Sequence, residues 1–198
     1  MIPPPPVPSP DGKSFGAAVA AVAATYVYFL IFAQFGFLDA VLASGSGAGL
    51  IKPVMTVMGV AGIGGSVLAA RIFSAGRSGG MLVAGFGTCA LAAGVSVATP
   101  SAGGFYVAAL LVGLGTGITT VSLAGVLLSA VGPARLGLVV GAGTGLAYGF
   151  CNLPAVFAAG PTKHAWIAIA AAATGVVASR RMGGRRKSQV EGLKSESR

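Results

Sequence analysis

Four polar side chains sit inside long apolar runs of this sequence and could bind a solute or carry a proton: Gln34, Asp39, Tyr148 and Asn152. A carboxylate at the centre of a bilayer costs about 2.5–3.5 kcal/mol on insertion scales, so an acid kept inside a span commonly marks a proton or substrate site. Asp39 is the only acid in such a run, since Asp11, Glu191 and Glu196 lie towards the termini. Its position also allows a plainer role. It stands 26 residues after Lys13, about 39 Å along a helix at about 1.5 Å per residue, which places it at the far rim of the bilayer near Lys52. Gln34 lies a turn and a little from Asp39 and can face a solute or bond across to another helix. Asn152 stands beside Pro154 with Tyr148 one turn away, so the pair can line a cavity or sit at a kink whose amide is satisfied locally.

Other reactive residue types are sparse. His164 is the sole histidine and stands next to Lys163 at the start of the last apolar run, where a solvated interfacial ring is expected. Cys89 and Cys151 are flanked by Gly, Ala and Leu and read as small polarisable hydrophobes. With one histidine and two distant cysteines there is no metal-ligand spacing, and no metal or cofactor is expected. No nucleophile, base and orienting group occur together, so the reading is not an enzyme. Thr119, Thr120 and Ser122 are expected to bond back to their own helix carbonyls. The strings Gly113-Leu-Gly115-Thr-Gly117 and Gly141-Ala-Gly143-Thr-Gly145 lack the strand and acidic residue of a dinucleotide-binding turn.

The elements that must position these residues follow from hydropathy. Apolar residues make up 55% of the 198-residue chain and charged residues 9%, with a mean hydropathy of +0.86. Six runs are each long enough to be read as a membrane-spanning helix: Phe15 to Leu42, Lys52 to Ala70, Met81 to Ala98, Phe105 to Val131, Leu136 to Ala159 with Pro154 inside it, and His164 to Ser179. None shows the alternation of a barrel strand, so the expected fold is an all-α membrane bundle of six transmembrane helices. The basic residues divide by gap. Lys13, Arg71, Arg77, Arg135 and the seven from Arg180 to Arg198 fall on one side, against Lys52 and Lys163 on the other. By the positive-inside rule both termini are expected in the cytoplasm of a plasma membrane, a bacterial inner membrane. Residues 1–14 form a Pro-rich cytoplasmic tail, 15–179 the membrane domain and 180–198 a basic cytoplasmic tail. The net charge of +9 is dispersed loop by loop, which points to anionic lipid headgroups as counterpart and not to nucleic acid.

Thirty-three glycines raise the question of what they serve. Gly113 and Gly117, and on the next run Gly141, Gly145 and Gly149, recur at four-residue spacing, the pattern of close helix packing in lipid. The stretch Leu110 to Pro154, LLVGLGTGITTVSLAGVLLSAVGPARLGLVVGAGTGLAYGFCNLP, resembles the fourth and fifth helices of a major facilitator superfamily transporter. The end of the second span with its loop, GGSVLAARIFSAGRSGG from Gly64 to Gly80, resembles the signature between that family's second and third helices. Gly65, Arg71, Gly76 and Arg77 correspond to its glycines and basic residues, while Ala69 or Ala70 stands where an aspartate is expected. Gly145, Gly149 and Pro154 match the fifth-helix motif; Leu153, Phe157 and Ala158 do not. The resemblance covers residues 15 to 179 and implies one six-helix half of a transporter, itself a pair of inverted three-helix repeats. It implies alternating-access transport of a small solute, after the chain forms a homodimer or pairs with a second half. Arg71, Arg77 and Arg135 would then gate or orient the inner loops. The alternative is a non-transporting structural or assembly subunit of a larger membrane complex.

Overall fold

The computed structural model describes residues 12–45, 48–74 and 77–196, with side chains described between residues 14 and 182. Within them the chain is helical: α1 (Gly12–Val27) runs through a π-helical segment (Tyr28–Gly36) into α2 (Phe37–Ala43). A short 3₁₀ turn (Ala48–Leu50) leads to α3 (Ile51–Ile72), followed by α4 (Ser78–Ala98), α5 (Ala102–Val131), α6 (Pro133–Cys151), α7 (Pro154–Phe157) and α8 (Pro161–Glu196). Among the described residues five spans are long and apolar enough to cross a membrane: Ser14–Ala43, Ala48–Ile72, Ser78–Ala98, Ala102–Val131 and Pro133–Cys151. The outside of the bundle is apolar, as lipid as solvent requires, with Val60, Ile63, Leu138 and Trp166 each more than 60% exposed.

The π-helical segment follows from where the aromatic rings must go. Tyr28, Phe32 and Phe37 are all buried, yet Phe37 is nine residues beyond Tyr28, two and a half turns of α-helix at about 3.6 residues per turn, which would face it away from the core. Wider turns with i→i+5 bonding, seen in Phe37 N–H donating to Phe32 O, bring the rings onto one face. They stack in tilted pairs at 5.5 and 5.9 Å between centroids and meet Phe105 of α5 at 6.2 Å.

Two expected spans take a different form. The fifth does not kink but breaks: α6 ends at Cys151, and Leu153 is extended at φ −62° and ψ 128° before the four-residue α7. Pro154 has no N–H to donate, and its ring drives the preceding residue out of the α region. The sixth extends well beyond Ser179, because α8 continues as one helix to Glu196 and so takes in the expected basic tail. α8 is not among the spans apolar enough to cross a membrane; its apolar stretch lies between Lys163 and Arg180. Of the Pro-rich tail, residues 1–11 lie outside the described residues, and helix begins at Gly12.

The packing has an internal correspondence between its first three and last three long helices. α3 packs on α5 as α6 packs on α1, and α4 packs on α5 as α8 packs on α1, while the pairs α1 with α5 and α4 with α8 map onto themselves. In each triplet the middle helix lies at the flank: 22% of the most apolar stretch is buried in the α3 span and in the α6 span, against 44–50% in the other three.

Candidate functional site

Contacts fix which residues share an end of the bundle. The Phe73 ring lies over Gly125, the Phe86 ring over Gly175, and Gly16 lines a groove with Arg181. These contacts put the start of α1, the α3–α4 loop, the α5–α6 turn and Arg180/Arg181 together. Arg71, Arg77, Arg135, Arg180 and Arg181, all exposed, therefore gather at one end. Lys52, Lys163 and Asp39 occupy the other, where Phe37 meets Phe105 and Gly36 meets His164. Gly132, at φ 72°, makes the α5–α6 turn: a side chain would be strained there, and Pro133 starts α6 with its φ already helical.

None of the four candidate residues is enclosed by the chain. Gln34 and Asp39 are exposed, the first on the π-helical segment and the second in the opening turn of α2. Asp39 makes no ion pair with Lys52. Tyr148 is 49% exposed near the end of α6. The Asn152 amide nitrogen donates to the Tyr148 carbonyl at 2.8 Å, which caps the broken helix locally. Tyr148 and Asn152 share the open flank of α6 with Gly141, Gly145 and Gly149, all exposed, and a Cβ at any of the three glycines would meet nothing within 4 Å.

Gly141, Gly145 and Gly149, expected to pack helix on helix, meet no other helix of this chain. The contact is made by Gly143, on the opposite face, where a Cβ would stand 2.6 Å from Val22 Cβ of α1. Gly113 and Gly117 do face α3: a Cβ on the first would stand 2.8 Å from Gly62 N, and one on the second 2.8 Å from Ser66 N. Gly65 answers from α3, 2.7 Å from Leu114 O by the same measure. Gly76, part of the loop resemblance, lies outside the described residues.

The structure gathers a polar group that residue patterns alone did not. Tyr28, Thr119 and Ser122 are each at most 2% exposed, and their hydroxyls have no hydrogen-bond partner. Cys89 of α4 lies beside both Tyr28 and Thr119; a thiol is a weak acceptor. Thr120 does bond back, to Thr116 O at 2.8 Å, but Thr119 and Ser122 do not, contrary to expectation. Thr119 lies against Gly85 of α4, where a Cβ would stand 3.0 Å from Thr119 N, and only this placement between helices reveals it. His164 is likewise buried, at 3%, and not solvated. Its Nε2 is 3.1 Å from Val156 O, its Nδ1 has no partner, and a Cβ on Gly36 would stand 2.5 Å from its own Cβ. No three His, Cys, Asp or Glu residues are grouped to hold a metal among the described residues.

No family model, curated protein or solved structure matches this chain. The arrangement itself shows an all-helical bundle with five helices long and apolar enough to span a membrane among the described residues, a basic end, an aromatic and hydroxylic core, and two thinly covered flanks.

Proposed function

We propose that the chain is one six-helix half of a transporter resembling the major facilitator superfamily, moving a small solute by alternating access once a second copy or a separate half completes it. The observation that carries this reading is the correspondence between the two helix triplets. Successive helices run in opposite directions, so exchanging the first triplet for the second inverts it, as in the inverted repeats of many secondary transporters. The exposure of Gln34, Asp39, Tyr148 and Asn152 accords with a half-site that a partner would cover. α8 serves as the sixth span with Arg180 and Arg181 snorkelling to the interface. The clustered arginines make their end cytoplasmic in a plasma membrane of the bacterial inner-membrane type, with Arg71, Arg77 and Arg135 on that side. The solute and the lipid bilayer are then the ligands, and no cofactor or nucleic acid takes part.

The second reading, a non-transporting assembly subunit, draws on the same open α6 flank, which a different membrane protein could cover. Crosslinking at Gly145→Cys in native membranes separates the two. Transport requires a self-crosslinked pair or a crosslink to one other six-helix chain, together with counterflow of a labelled solute in proteoliposomes that Asp39→Asn abolishes. Crosslinks only to unrelated subunits, with no flux across a panel of sugars, amino acids and organic cations, would overturn it.

A further inference from the structure

At the basic end a groove of about 370 Å³ runs between α1 and α8, at the lower end of ligand-sized clefts of roughly 300–1,000 Å³. Its lining from α1 is Gly16, Ala17 and Ala20; α8 supplies Ala173, Thr174, Val177, Ala178 and Arg181. We propose that this groove holds one anionic phospholipid, an acyl chain lying along the alanines and the headgroup phosphate against Arg181.

Three observations converge on that occupant. The floor is apolar: Ala17 and Ala178 are 7% and 3% exposed, and the Thr174 hydroxyl already donates to Ala170 O at 2.9 Å, so nothing inside asks for a polar ligand. The lining has one charge, and it stands at the end where the other arginines gather. The first span and α8 lie alongside with Gly36 against His164 at one end and Gly16 beside Arg181 at the other, so the groove runs lengthwise with Arg181 at its terminus. Finally, the arginine has no internal counter-ion among the described side chains: the one acid there, Asp39, lies about 35 Å from Gly16 along the first span at about 1.5 Å per residue. An exposed guanidinium closing an apolar groove matches an amphiphile with a phosphate head, which it can hold through two parallel N–H···O bonds. The proposal does not depend on transport.

Native mass spectrometry of the intact protein, released from nanodiscs of phosphatidylcholine doped with phosphatidylglycerol, tests it. One retained phosphatidylglycerol per chain is expected. Arg181→Gln should reduce its occupancy about fivefold, the factor for one well-placed basic residue. Arg181→Lys should retain part of it, and Arg77→Gln, on the same end but outside the groove, should leave it unchanged. Ala173→Phe, at an exposed lining position, should displace the lipid with the thermal unfolding midpoint preserved. Equal losses in Arg181→Gln and Arg77→Gln would mean diffuse surface charge and overturn the proposal. Equal retention of phosphatidylcholine would overturn the headgroup assignment, and a self-crosslink through Ala173→Cys in native membranes would show a second copy covering the groove instead.

Discussion

α5 and α6 are consecutive, carry glycines at the same four-residue spacing, and use them in opposite ways. On α5, Gly113 and Gly117 admit α3, Gly115 admits α4 so closely that a Cβ would stand 2.8 Å from Cys89 Sγ, and the helix is the hub of the bundle. On α6, Gly141, Gly145 and Gly149 face open space, and Gly143 between them carries the internal contact. Small residues one turn apart lower the barrier to close approach, but they do not say which helix approaches. The partner is chosen by the rest of the face: α5 is flanked by buried Val112, Leu123, Val126 and Leu127, whereas the α6 ridge lies beside exposed Leu138, Leu146 and Tyr148.

The sharpest way to break this contrast is to put the same bulk on both helices. Gly113→Leu must displace α3 backbone and should lose about 3 kcal/mol of stability, whereas Gly145→Leu should change it by less than about 0.5 kcal/mol, as surface positions do; unfolding of purified protein in graded SDS measures both. Equal losses would mean that the α6 ridge is packed inside the chain after all. A second comparison concerns the helix break. Pro154→Ala restores a backbone donor and frees Leu153 to be helical, so α6 should extend into α7, and amide exchange across 150–157 should slow by about tenfold or more. Unchanged exchange would place the cause of the break in packing and not in the proline.

Smaller effects sharpen the picture of the α5 core. Ser122→Ala removes a fully buried hydroxyl that has no partner and should stabilise the protein by about 1 kcal/mol in the same SDS titration. A loss of that size would reveal a bond to the hydroxyl in the membrane. The smallest expected change is Gly145→Ala, which adds a methyl group to open space and should move stability by less than about 0.5 kcal/mol. In a self-associating protein the same substitution should weaken the dimer seen by crosslinking, because it fills the ridge on which a second copy would sit.

Much of the architecture was legible in the residues. Hydropathy located the first four spans to within a few residues, since a run of apolar side chains has only one low-energy conformation in lipid. Arg71, Arg77, Arg135, Arg180 and Arg181 announced their common end through alternation alone. The candidate site was much less legible. Asp39 and Lys52 are close in sequence but unpaired, and Asn152 spends its amide on the carbonyl of Tyr148. That Tyr28, Cys89 and Thr119 meet in the core is not legible, because each is unremarkable in its own helix.

Sequence alone determined the apolar solvent, the helical backbone and the charge asymmetry, because each depends on local composition and on hydrogen bonds made within one segment. Tertiary structure decided which glycines are buried, where the first span widens into π-helix to keep Tyr28, Phe32 and Phe37 inward, and that Gly16 and Arg181 meet across a groove. Those outcomes depend on the rotational setting of one helix against another, a quantity to which residues far apart in the chain contribute jointly and which no single segment encodes.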